Sequence, residues 1–184
     1  LVLDEVRTGL RIDLAGSWEP LGIRPDLSAW SKAIANGHAL AAVTGGEALR
    51  DAATRIFSTG SFWCGAVAMA AGVATLDVAA SEGLVAHLER IGGMLRAGLA
   101  AQSASHGVPI RQSGPVQMPL VLFEDDADFA KGTLFCAEAL ARGAYLHPRH
   151  NMFLSLAHTE ADIDRALAAT DEAFAAVAAR FGHL

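Results

Sequence analysis

Apolar residues fall along this chain in two rhythms. The first stretch alternates short apolar runs with turns. Leu1-Val2-Leu3 stops at Asp4-Glu5 and predicts a short, fully buried strand of the kind found in parallel sheets. Gly16 to Pro25, with two Gly and two Pro, predicts a loop. Leu27 to Ser31 predicts a second strand ending near Lys32, and Leu40 to Thr44 a third apolar run stopped by Gly45-Gly46. Glu47 to Thr54 then predicts a short helix.

The second rhythm is helical. The uncharged stretch Ile56 to Leu76 reads as a loop and a buried helix rather than a membrane span. Helical patterning runs from Val67 to about Ala101, with Gly83 and Gly92-Gly93 as places where it can divide. Leu84, Leu88, Ile91, Leu95 and Leu99 form one apolar stripe. The character changes near Ser103. Val108–Arg111 and Val116–Phe123 predict strands around Ser113-Gly114-Pro115. Asp126 to Arg142 predicts a helix with Gly143 at its end. Ala144–His147 and Met152–Ser155 predict two more strands. Thr159, with Asp162 three residues on, predicts a capped last helix reaching about Phe181. The pattern is α/β: part of a parallel-sheet domain over 1–102, then a small α+β domain over 103–184. No internal repeat is visible.

Composition narrows the function classes. Apolar content of 52% with 18% charged residues describes a well-cored globule rather than a disordered chain. A net charge of −6 without a dense Lys/Arg cluster argues against a nucleic-acid surface. Cys64 and Cys136 stand alone, with no CxxC and no His at ligand spacing, and read as reduced thiols of a cytoplasmic protein. No charged region precedes an apolar one at the start, so no secretory signal is expected. The opening strand pattern, without Met, reads as a cut through a larger domain.

Two residues then change the picture. A carboxylate at the carboxyl end of a strand sits where α/β sheets bind ligands, and Asp4 is placed there. Lys32 lies in a small, mostly uncharged stretch with no adjacent acid. An anion and an amine at such positions suit pyridoxal phosphate (PLP). The amine holds its aldehyde as a Schiff base, and the anion keeps its pyridine nitrogen protonated. The plainer alternatives are a solvated loop acid and a surface lysine. Glu5 has less claim and reads as a structural ion-pair partner. His147, Arg149 and His150 form a basic loop in which Arg149 could hold a substrate carboxylate. A turn with solvated charges explains that loop at least as well. No third ligand makes the His pair a metal site. His106 and His158 read as ordinary loop residues, and Gly92-Gly93 has neither the strand nor the ending of a phosphate loop.

Longer motifs sharpen this. Leu-Val-Leu-Asp-Glu-Val-Arg-Thr-Gly at 1–9, Pro-Asp-Leu at 25–27, Ser-Lys-Ala-Ile-Ala-Asn-Gly at 31–37 and Ala-Ala-Val-Thr-Gly at 41–45 resemble class III PLP-dependent aminotransferases. The tail, Arg-Gly-Ala-Tyr-Leu-His-Pro at 142–148 and Phe-Leu-Ser-Leu-Ala-His-Thr-Glu-Ala-Asp-Ile-Asp at 153–164, resembles the glutamate-1-semialdehyde aminomutase branch. The likeness covers essentially the whole chain, in order. It implies a piece of a fold-type I PLP transferase, homodimeric, with its site at the subunit interface. It implies that Asp4 contacts the pyridine nitrogen, Val6 packs on one ring face and Lys32 carries the cofactor aldehyde. It aligns Ser61 with the hydroxyl residue that reaches the partner's cofactor phosphate; Thr59 takes that role if the loop slips by two.

Two departures qualify the likeness. Where the aminomutase pattern reads Gly-Asn-Pro, this chain has Trp63-Cys64-Gly65, and a Trp beside the cofactor implies a larger apolar substrate pocket. The family's first half, with its phosphate loop and ring-stacking aromatic, precedes the residues matched here. The expected activity is aminotransfer from an amine or amino-acid donor to a carbonyl acceptor. The alternatives are an intramolecular aminomutase acting on glutamate 1-semialdehyde, and a noncatalytic fragment or dimerisation module.

Overall fold

The computed structural model describes residues 1–182. The chain forms two compact units, Leu1–Val85 and Ala86–Leu184. The change of sequence character near Ser103 falls inside a helix of the second unit, whereas the units separate at 85/86.

The first unit is built on a three-stranded sheet in the order β1 (Val2–Asp4), β2 (Leu27–Trp30), β3 (Ala42–Gly45). β1 and β2 are parallel, with Val2 opposite Leu27 and Asp4 opposite Ala29. The twenty-two residues between them, 5–26, are long enough for a parallel return. β2 and β3 are antiparallel, with Ser28 opposite Thr44. The sheet is therefore mixed, with β3 antiparallel beside the parallel β1–β2 pair. Only eleven residues, 31–41, join β2 to β3, fewer than the dozen or so that a parallel crossover needs.

The opening strand is not fully buried either. Leu3 is buried, but Val2 is 66% exposed. Side chains alternate along a strand, so Leu3 and Ser28 share the covered face while Val2, Asp4 and Val43 share the open one. Trp30 closes the covered face, its indole Nε1–H donating to Thr44 Oγ1 at 2.8 Å. After β3, a 3-10 turn (Glu47–Leu49) runs into the short helix α1 (Arg50–Ala53).

The helix α2 (Ala66–Ser81) departs further from expectation. Only Gly72 and Ala79 are buried, and Val67, Met69, Val73, Leu76 and Val78 are exposed. Its sequence is apolar all round, the composition of a helix covered on every side. Within this unit it meets mainly the 3-10 turn Lys32–Ala35 and the residues after it. Gly72 lies so close that a Cβ would sit 2.8 Å from Leu40 Cδ2. No single helix among the described residues is long and apolar enough to cross a membrane.

The second unit packs three helices around a hairpin. α3 (Leu84–His106) buries Leu88, Ile91, Leu95 and Leu99, the predicted stripe. Gly83, with φ +63°, separates α2 from α3, while Gly92-Gly93 lies within α3. β4 (Ile110–Ser113) and β5 (Leu120–Phe123) form an antiparallel hairpin. α4 (Ala130–Ala141) starts four residues later than expected. Asp126 stays outside it and accepts from the amides of Lys131 and Gly132 at 2.8 and 2.9 Å. α5 (Glu160–Phe181) opens with a complete capping box between Thr159 and Asp162. Phe123, Phe135 and Phe174 meet at centroid distances of 4.8–5.8 Å, and the fully buried Phe174 ring contributes about 2–3 kcal/mol of apolar burial.

The predicted strands at 144–147 and 152–155 do not form. Met152 and Leu154 each donate one amide to the carbonyls of Pro119 and Gln117, two bonds to a loop rather than to a strand. Apolar content alone does not supply a ladder partner.

The two glycines of α3 make a paired test. A Cβ on Gly92 would lie 2.3 Å from the Val116 carbonyl oxygen, whereas one on Gly93 meets nothing within 4 Å. Gly92→Ala should cost about 1–3 kcal/mol through overpacking. Gly93→Ala should stabilise by about 0.5–1 kcal/mol by lowering the backbone entropy lost on folding. Denaturant melts of both variants check this; equal effects would contradict the close approach.

Candidate active site

β1 and β2 bring two of the singled-out residues to one end of one sheet. Because the strands are parallel and Asp4 is opposite Ala29, both chains leave the sheet at the same carboxyl end. Asp4 is the last residue of β1, and Lys32 follows β2 by two positions. This is the edge where open α/β sheets take ligands. The carboxyl end is locked beyond the strands by Glu5 N–H, which donates to Ala29 O at 2.8 Å.

Asp4 is exposed on the open face, and its Oδ1 accepts the Val6 amide at 3.0 Å. That bond turns the carboxylate along the strand end. Val6 itself is half-buried beside it. Lys32 is exposed and has φ +50°, a left-handed conformation costing a non-glycine residue about 1–3 kcal/mol. Such strain persists where surrounding structure over-determines it, and functional sites are where it gathers. The next turn, Lys32–Ala35, supplies that support by burying Ala35 and lying under α2.

The chain has two lysines, and their states differ. Lys131 donates its ammonium to Glu124 O at 2.9 Å. Lys32 has no hydrogen-bond or ion-pair partner for its ammonium among the described residues. An unengaged amine and an exposed carboxylate at the same carboxyl end of two parallel strands fit the donor set that PLP requires.

Ser61 and Trp63 lie in the same unit, in the exposed turn 61–64 that leads into α2. Trp63 is 64% exposed and its neighbour Phe62 is 89% exposed. Trp63 N–H donates to Gly60 O and Gly65 N–H to Phe62 O, so the turn is ordered by its own backbone. Thr59 is exposed just before it. Arg149 belongs to the other unit, where its guanidinium lies over the Phe129 ring at 4.6 Å. That unit holds a cleft of about 680 Å³ whose wall includes Tyr145, His147, His150, His158 and Arg165 but not Arg149. Among the described residues no cluster of three or more His, Cys, Asp or Glu could hold a metal ion.

One buried charged residue stands out beside the pair. Glu5 is 1% exposed, and its carboxylate accepts hydrogen bonds from Thr8 and Ser17. Strand alternation signals this placement, because Glu5 is in phase with the buried Leu3 while Asp4 is out of phase.

The comparisons with known proteins place this geometry in a family. The aminotransferase class-III model matches residues 1–174, and the chain belongs to that family. It is 50% identical over 184 residues to aminopentol aminotransferase of Sphingopyxis macrogoltabida, covering all of this chain and 44% of that protein. It is 33% identical over 189 residues to glutamate-1-semialdehyde 2,1-aminomutase of Myxococcus xanthus, covering 95% of this chain and 44% of that one. Among solved structures it superposes with a TM-score of 0.94 on the FumI protein of Sphingopyxis sp. MTA144 in its PLP internal aldimine form. The identity there is 49%, over 100% of this chain and 44% of that one. A transaminase with PLP bound shares the fold at TM-score 0.90 and 20% identity, over 98% of this chain and 45% of that one. The fold is thus one shared with part of the fold-type I PLP-dependent transaminases, and the chain spans 44% of the length of the curated relatives it matches.

The two thiols should behave differently. Cys64 is exposed, while partial burial pushes the Cys136 thiol up to about 11. The thiolate is the reactive form, so a disulfide reagent at pH 8 should consume Cys64 quickly and Cys136 only after unfolding. Because the folded value lies above 9.0, the native state holds the Cys136 proton longer than the unfolded one, and this contribution to stability is lost as pH rises from 9.0 to about 11. Equal labelling rates in the native protein would contradict this burial.

Proposed function

We propose that this chain carries the cofactor-anchoring half of a PLP-dependent aminotransferase that moves an amino group from an amine or amino-acid donor to a carbonyl acceptor. The observation that carries this reading is the delivery of Asp4 and Lys32 to the same end of the parallel β1–β2 pair. PLP, when bound, supplies an electron sink for the pair left behind when the donor's α-C–H bond breaks.

The chain's own residues would do the rest. Asp4, exposed and oriented by the Val6 amide, holds a proton on the cofactor's ring nitrogen by opposite charge. Lys32 would hold the cofactor through its Nζ. As a free amine, Lys32 Nζ would be the base that holds the proton taken from the donor's α-carbon. Val6, half-buried next to Asp4, packs on one ring face. Ser61 donates its hydroxyl to the cofactor phosphate of a second subunit in a homodimer, with Thr59 as the alternative. Phe62 and Trp63, exposed on the same turn, offer apolar area to a substrate. Arg149 binds a substrate carboxylate if it leaves the Phe129 ring. In the whole protein, residues 1–102 would be counted with the cofactor domain and 103–184 with the small domain, a division that falls within α3 rather than at the 85/86 boundary of the compact units.

The 50% identity to an aminopentol aminotransferase makes an aminopentol the first donor to assay. The 33% identity to an aminomutase supports a second reading, in which the amine moves within glutamate 1-semialdehyde without an external acceptor. Supplying donor and keto acid separately to the full-length protein divides the two. Amino transfer that depends on both is expected. Conversion of glutamate 1-semialdehyde alone supports the aminomutase, and loss of both activities with normal folding supports a noncatalytic module.

Asp4→Asn keeps an oxygen for the Val6 amide, so stability should change by no more than about 0.5 kcal/mol. The barrier to removal of the α-proton should rise by about 3–6 kcal/mol, a slowing of roughly 150-fold to 25,000-fold. Near-normal turnover would place the acid elsewhere. For Ser61, mixing Lys32→Ala and Ser61→Ala subunits gives heterodimers with one intact site if the hydroxyl serves the other subunit. If both residues serve one site, every heterodimer site is damaged and no wild-type turnover returns.

A further inference from the structure

We infer that Glu5 is a positioning residue for Asp4, holding the strand end from which the Asp4 carboxylate is aimed; this rests on the role proposed above for Asp4. Glu5 is one of the most buried large side chains in the chain. A buried carboxylate is costly unless its oxygens are satisfied, and a packed apolar residue would fill the same space at less cost. What the carboxylate adds is direction. Its Oε2 accepts from Thr8 Oγ1 at 2.5 Å, and its Oε1 accepts from both Ser17 N and Ser17 Oγ at 2.8 Å.

The backbone of the same residue is tied as firmly. Glu5 N–H donates to Ala29 O at 2.8 Å, and Glu5 O accepts from Gly9 N at 2.9 Å. One residue therefore joins β2, the turn after β1 and the loop at Ser17. Trp30 is packed into this joint. A Cβ on Gly9 would sit 2.6 Å from Trp30 Cε3 and 2.7 Å from Glu5 O, and one on Gly16 would sit 3.3 Å from Glu5 Oε1. Gly16 also has φ +133°, so a side chain there is strained as well as crowded.

Asp4 precedes Glu5 and points to the opposite face. Val6 follows Glu5 and gives its amide to Asp4 Oδ1 at 3.0 Å. The orientation of the Asp4 carboxylate is thus set by backbone on both sides of Glu5. Lys32 follows Trp30 by two residues in the chain. Glu5 faces away from Asp4 across the strand, so it acts through geometry rather than contact.

The test uses the full-length protein reconstituted with PLP carrying nitrogen-15 in its ring. Ring-nitrogen protonation is followed by NMR against pH, beside exchange of the donor's α-hydrogen, donor KM and thermal unfolding. Glu5→Gln replaces one accepting carboxylate oxygen with an amide NH2, so Thr8 and Ser17 can no longer all donate to the side chain. It should lower the pH at which the ring nitrogen loses its proton by roughly one unit and slow α-hydrogen exchange about tenfold, with donor KM changed less than about twofold. Gly92→Ala, in the other unit, lowers stability and should move neither reading. Asp4→Asn should abolish ring protonation. If Glu5→Gln titrates like wild type while Asp4→Asn does not, the positioning role is wrong and the Asp4 assignment stands. If Asp4→Asn also titrates like wild type, the Asp4 assignment fails and the inference with it. Should Glu5→Gln not fold, the Thr8→Val, Ser17→Ala double variant keeps the carboxylate and removes the hydroxyl donors Thr8 Oγ1 and Ser17 Oγ. A downward shift of the same midpoint supports the role, and an unchanged midpoint overturns it.

Discussion

The parallel pairing of β1 with β2 is the constraint on which the rest of the site depends. Asp4 opposite Ala29 fixes which end of each strand faces which way, and a slip of one residue would turn Asp4 into the covered face and Glu5 out of it. Three features hold the register: the Glu5 amide on Ala29 O, the buried pair Leu3 and Ser28, and the Trp30 indole over the covered face. With the register fixed, an exposed carboxylate and an unengaged amine share the carboxyl end of the sheet. The chemistry proposed for them needs no further coincidence.

The first unit is also open where its composition says it should be covered. α2 and the loop before it expose Ile56, Phe57, Phe62, Trp63, Val67 and Val73. Contiguous apolar exposure of this kind marks a surface that meets other protein. The chain spans 44% of the length of its curated relatives, and the proposed homodimer together with the remaining part of such a protein would supply cover. The second unit is closed by comparison, its three phenylalanines and the buried stripe of α3 forming a core of their own.

How much of this could be read beforehand varies by residue. The placement of Asp4 and Lys32 at strand ends was legible because an apolar run stops just before each, and the long motifs around them specify a family. The capping box at Thr159 and the stripe from Leu88 to Leu99 were legible because both are local patterns. The direction of β3 could have been read from the short link before it. The exposure of α2 could not, since periodicity reports which residues suit burial and not what covers them. The extended segments at 144–147 and 152–155 failed for a similar reason, because apolar runs do not name a ladder partner. Gly83 and Gly92 look alike in sequence, yet one serves a positive φ and the other a close backbone approach. The burial of Glu5 was readable from its phase with Leu3, which marks it as inward-facing.

The central claim is that Lys32 is the amine to which the cofactor attaches. Treating the full-length protein with PLP, reducing it with borohydride and mapping the peptides tests this directly. The account predicts one reduced cofactor per chain, on Lys32, and no label there after Lys32→Ala. A label on Lys131, or on a lysine outside these residues, would contradict it.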